Sequence, residues 1–81
     1  MSLPHQKENN YGFGQLALTA GEKLPLEILQ SFAGFYIGTQ FYDPEIECMA
    51  PFTRESIQYW KSKEAAEEAL RSGLWTQKGS L

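Results

Sequence analysis

The chain has 81 residues, a formal charge of −3 and a hydrophobic fraction of 42%, which fits a folded protein rather than a disordered one. The negative balance does not repay a phosphate backbone, so non-specific nucleic-acid binding is disfavoured. A single cysteine, Cys48, excludes an intrachain disulfide and a cysteine zinc cluster.

Residues 1–10 read as a polar, flexible N-terminal leader that carries His5, the only histidine. Residues 11–78 read as a single α+β domain and residues 79–81 as a tail. Tyr11-Gly12-Phe13-Gly14 alternates aromatic and glycine, a pattern that permits a bend or a close backbone approach. Gln15–Thr19 is short and apolar and predicts a strand ending at the Ala20-Gly21 turn signal. Pro25 suits the first position of a helix. Leu26, Leu29, Phe32 and Ala33 recur at helical spacing, which predicts a short helix over Leu26–Phe32. The alternative is an extended segment running straight into the next strand.

That next strand is the plainest in the chain. Phe35–Tyr42 is rich in aromatic and β-branched residues, which suit a pleated, half-buried surface. Alternation puts Phe35, Ile37, Thr39 and Phe41 on one face, expected to be the core face. Tyr36, Gly38, Gln40 and Tyr42 fall on the other. Asp43-Pro44 breaks the run. Glu45–Pro51 extends one strand or forms a loop. Phe52–Trp60 predicts a second strand, with Thr53, Glu55, Ile57 and Tyr59 on one face and Arg54, Ser56, Gln58 and Trp60 on the other.

Ser62–Ser72 predicts a capped helix. Ser62 is the N-cap, Glu64 sits in the first turn, and Arg71 sits in the last, each favoured by the helix dipole. Ala66, Ala69, Leu70 and Gly73 form one narrow apolar stripe. Glu67 and Arg71 are placed for an i,i+4 pair. Gly73 is expected to take the left-handed conformation, with Leu74 packing back on Ala69. Leu74–Gln77 is expected to return as a short edge strand. The fold class is therefore α+β: a small antiparallel sheet of about three strands with one C-terminal helix packed on a face.

No signature of catalysis, metal or cofactor stands out. His5 lacks a rigid scaffold, and Cys48 lacks a basic neighbour to activate it, so a buried apolar role is expected for Cys48. Asp43, Glu45 and Glu47 lack the ligand pattern and turn glycine of a calcium loop and read as a solvated turn. Gly12-Phe13-Gly14 lacks the third glycine of a dinucleotide loop. The expectation is therefore no cofactor, no metal and no enzymatic activity.

The remaining candidates are aromatic and polar surface positions. Tyr36, Tyr42, Trp60 and Trp75 belong to residue types enriched at binding interfaces. Arg54 and Ser56 share a strand face as a candidate anion contact. A chain of this length buries only about 60% of its unfolded surface, so aromatic side chains compete for little interior, and a homodimer would add some. No apolar run approaches the roughly 18 residues of a membrane span, and the N-terminus lacks an apolar signal core. A soluble, cytoplasmic protein without a membrane partner is expected.

Gly34-Phe35-Tyr36-Ile37-Gly38-Thr39, Pro51-Phe52-Thr53-Arg54-Glu55-Ser56, Tyr59-Trp60, Glu64–Leu70 and Gly73-Leu74-Trp75 together resemble a group of short uncharacterised bacterial and phage proteins. The resemblance covers about half the chain and implies no activity, because none is attached to that group. In topology alone, strands followed by a helix also resemble the small DNA-binding domains that open phage integrases, although this chain lacks their basic sheet face. The expected function is a small non-enzymatic interaction or self-associating module, with an unidentified protein partner or a second copy. The alternative is a nucleic-acid-binding accessory protein of phage or mobile-element type using Arg54, Lys61, Lys63 and exposed aromatics.

Overall fold

A computed structural model describes residues 11–80. The element order is α1 (Gln15–Thr19), β1 (Glu27–Ser31), β2 (Gly34–Asp43), β3 (Cys48–Arg54) and α2 (Lys63–Ser72). The three strands form one antiparallel sheet in the order β1-β2-β3, and α2 lies against β1 and β2. This is the α+β arrangement expected from the sequence. The leader with His5 lies outside the described residues.

The long strand β2 is the centre of the sheet. Its first half pairs with β1, with Ile28 opposite Ile37 and Leu29 opposite Tyr36. Its second half pairs with β3, with Phe41 opposite Ala50 and Tyr42 opposite Met49, after a bulge between Thr39 and Gln40. The pairing with β1 ends at Glu27 and Gly38. Among the described residues, Thr39–Asp43 therefore has a strand neighbour on the β3 side only.

Helix α2 follows its sequence signals. The Ser62 hydroxyl accepts the Ala65 N–H at 3.1 Å, and Gly73 closes the helix at φ 79°. Ala66, Ala69 and Leu70 are buried, and Leu70 joins Ile37 and Leu26 in the central cluster. The alanine stripe lets the helix approach the sheet closely. Two details differ. Arg71 pairs with Glu68 rather than Glu67, three residues apart instead of four. Leu74 does not pack on Ala69 and is exposed, whereas Trp75 packs against the central cluster. The Leu74–Gln77 strand reduces to one bridge, Ser56 to Gln77.

The N-terminal half is where tertiary structure overrides local pattern. Gln15–Thr19 is a helix, not a strand, and Leu16 and Ala17 are its buried residues. Residues 26–32 hold a strand, not a helix. The helical stripe fails because Phe32 stands fully exposed in the turn between β1 and β2, while Ile28 and Leu29 pair across to β2. Phe13 bridges to Pro25, so the stretch before α1 runs beside the approach to β1.

The second predicted strand is shifted. It starts at Cys48 and ends at Arg54, and only Pro44–Glu47 forms the turn. Cys48 opens β3 and is exposed rather than buried. No helix among the described residues is long and apolar enough to cross a membrane.

Candidate functional site

The two faces of β2 are not core and solvent. Ile37 and Thr39 are fully buried as expected, but Tyr36, predicted to face outward, is only 7% exposed. The reason lies beyond β3. After Arg54 the chain stays alongside β2 on the same side. Glu55 N and Ser56 N donate to Ile37 O at 2.8 and 3.0 Å, and Phe35 and Trp60 exchange both backbone bonds at 2.8 and 2.7 Å. This path carries Tyr59 over Tyr36, with ring centroids 5.8 Å apart in an edge-on arrangement. Arg54 completes the cover. Its guanidinium lies 4.9 Å from the Tyr59 ring centroid, and Nη1 donates to the Tyr59 hydroxyl. A cation over an aromatic face is attracted by the ring quadrupole.

A shallow pocket of about 380 Å³ opens beside this stack, with Tyr36, Phe52, Arg54, Tyr59 and Lys78 among its walls. The Arg54 Nε is enclosed and has no acceptor among the described residues. Burial pushes the Tyr36 hydroxyl above its ordinary pKa of 10.0, the neighbouring Tyr59 adds to the rise, and the Arg54 charge opposes it.

On the opposite side of the sheet, Glu55 forms a second polar cluster. Its side chain is fully buried. Oε1 accepts from Leu16 N at 3.0 Å and from Gln77 Nε2 at 2.7 Å. Oε2 accepts from Ala17 N at 3.1 Å and from the Thr53 hydroxyl at 2.6 Å. Thr53 has thus committed its one proton to Glu55, so Thr39 must donate in the 2.5 Å contact between the two threonines. Burial pushes the Glu55 pKa upward, but the bonds from Leu16, Thr53, Gln77 and Ala17 outweigh it and hold the carboxyl below its ordinary value. The carboxylate serves as an anchor for α1, whose N-cap, Gly14, makes no side-chain cap of its own.

Glu55 was not singled out in the sequence. Alternation groups Thr53 and Glu55 with Ile57 and Tyr59, but the strand ends at Arg54, Ile57 is exposed and Tyr59 stacks on Tyr36 on the other side of the sheet. The donors that bury it, from Leu16, Ala17 and Gln77, approach from distant segments that a strand pattern cannot reveal.

The predicted site residues do not come together. Tyr36 and Arg54 share the pocket. Ser56 is fully buried, donates to Gln58 O and accepts from Ile37 N, so it does not join Arg54 as an anion contact. The strand that would have aligned them ends at Arg54. Trp60 and Trp75 are half-buried against the Leu26, Ile37 and Leu70 cluster. Arg54 and Lys63 line different clefts, the latter a groove of about 680 Å³ between β1 and α2 that also carries Glu64, Glu67 and Glu68.

Tyr42 is the predicted aromatic that remains outside, at 56% exposure. It stands directly opposite Met49, at 49%, and Ile46 is exposed in the turn beyond them. In that turn Asp43 accepts the Glu45 N–H at 2.9 Å through its side chain, and Glu47 takes a φ of 56°. Among the described residues no group of three or more His, Cys, Asp or Glu is placed to hold a metal ion.

Comparison with protein-family models, curated proteins and solved structures gives no match.

Proposed function

We propose that the chain is a small non-enzymatic interaction module that associates with a second copy of itself through the β2–β3 hairpin. The observation that carries this reading is the outer half of β2. Among the described residues, Gln40–Asp43 has no strand partner on the β1 side, and the cross-strand pair Tyr42 and Met49 lies exposed beside it with Ile46. An open strand edge next to apolar side chains is a template for strand pairing. Isologous contact between two copies would place the same surface on both sides of a two-fold axis.

The charges are compatible with that geometry. Asp43, Glu45 and Glu47 all lie at or near the hairpin turn. If two β2 edges pair antiparallel, the turns point to opposite ends, so the acidic groups of the two copies stay apart. A parallel pairing would bring them together at a cost.

Amide hydrogen exchange over a concentration series tests the reading. Outward-facing amides of Gln40–Asp43 gain protection as concentration rises, while those of α2 do not change. Concentration-independent exchange across the hairpin contradicts it.

A further inference from the structure

The pocket beside Tyr36 is a place of local positive charge on an acidic chain. The chain carries 10 acidic and 7 basic residues, yet no Asp or Glu lines this pocket, and two of the cations, Arg54 and Lys78, do. Neither cation has a carboxylate partner among the described residues, where the one ion pair is Arg71 with Glu68, and the Lys78 ammonium donates to the Ser80 carbonyl. Arg54 is held by Tyr59 alone, and its Nε is enclosed without an acceptor. Tyr36, whose hydroxyl makes no hydrogen bond among the described residues, lies on the same wall.

From these observations we infer that the pocket binds a small phosphomonoester, its phosphoryl group against Arg54 and Lys78 and its organic body against Phe52 and Tyr59. Two cations balance the −1.5 to −2 charge such a group carries at neutral pH, and a guanidinium offers it paired donors. A monoanion would leave one cation unmatched. The volume of about 380 Å³ lies within the range of small-molecule sites. The overall charge of −3 repels anions from the rest of the surface, so attraction here is local. This inference is separate from the hairpin reading and stands or falls without it.

The test is a titration of the full chain with phenyl phosphate at low salt, read by amide chemical shifts. The expected result is saturable perturbation centred on Arg54, Tyr59 and Lys78. Arg54→Gln and Lys78→Gln each weaken binding by about tenfold, the scale of one lost charge-assisted hydrogen bond. Lys61→Gln, which removes an exposed charge outside the pocket, leaves binding unchanged. Should Arg54→Gln lose its fold, Lys78→Gln carries the same test. Absence of saturation at millimolar ligand overturns the inference. Equal affinity for benzoate overturns the phosphoryl assignment, and equal affinity for inorganic phosphate overturns the role given to Phe52 and Tyr59.

Discussion

Glu55 Oε1 accepts the Leu16 backbone N–H at 3.0 Å across 39 positions of sequence. The carboxylate thereby does for α1 what a local N-cap usually does. Two free N–H groups at the helix start, a threonine hydroxyl and a glutamine amide all converge on it. Replacing Glu55 with Ala leaves these buried donors without an acceptor. We expect a loss of about 3 kcal/mol, with Glu55→Gln losing less because one oxygen remains. Urea unfolding monitored by Trp fluorescence measures both, and a loss within experimental error for Glu55→Ala would contradict the anchor role.

The same carboxylate gives a pH signature. Its folded pKa lies below the ordinary value of 4.5, so the folded state releases this proton more readily than the unfolded state. The stabilisation is fully present above the unfolded value, declines as pH falls toward the folded value, and is gone below it. The stability difference between the native chain and Glu55→Gln should therefore hold steady from neutrality to the ordinary value and shrink in more acidic solution. A difference that grows on acidification would mean the carboxyl is held protonated instead.

Gly14 sits against this cluster. A Cβ at that position would lie 2.5 Å from Glu55 Oε2 and 2.6 Å from Thr39 Cγ2. Neither neighbour can withdraw freely, since both belong to the bonded set around Thr53. Gly14→Ala should destabilise by about 2 kcal/mol, within the range of overpacked sites. Thermal unfolding checks it, and an unchanged midpoint would show that α1 is not seated this tightly.

Tyr36 should ionise above the ordinary tyrosine value of 10.0, because burial and Tyr59 raise its pKa while Arg54 only partly offsets them. Ultraviolet difference titration resolves this as a late step. Arg54→Gln should move that step to still higher pH. Movement to lower pH would show that Arg54 does not face the Tyr36 hydroxyl.

Ser62→Ala removes the hydroxyl that caps α2 and should cost about 1 kcal/mol. Ser62→Asp should recover most of it. Equal stability of all three chains would mean the cap hydrogen bond is replaced by water without loss.

The parts of the fold legible in sequence are those held by local interactions. α2 declares itself through Ser62, its alanine stripe and Gly73, all within one segment. β2 declares itself through its aromatic and β-branched run. The parts that misled are those stabilised at a distance. Gln15–Thr19 has apolar residues but no side-chain cap, and its cap comes from Glu55. Leu26, Leu29 and Phe32 mimic a helical stripe, but cross-strand pairing of Ile28 and Leu29 with β2 decides the segment. The inward placement of Tyr36 depends on the loop that brings back Tyr59, which alternation within one strand cannot reveal. Within the pocket, Arg54 was legible as a candidate anion contact, but its partners Tyr59 and Lys78 were not, since they come from a loop and from the chain beyond α2.

Molar mass in solution by light scattering across a concentration series reads self-association through the hairpin without any label or variant. The mass should rise from one to two chains with concentration, and a Met49→Lys variant should stay at one chain while keeping its native circular dichroism. A mass fixed at one chain for the unmodified protein at the highest soluble concentration, or a dimer unaffected by Met49→Lys together with Tyr42→Lys, would contradict it.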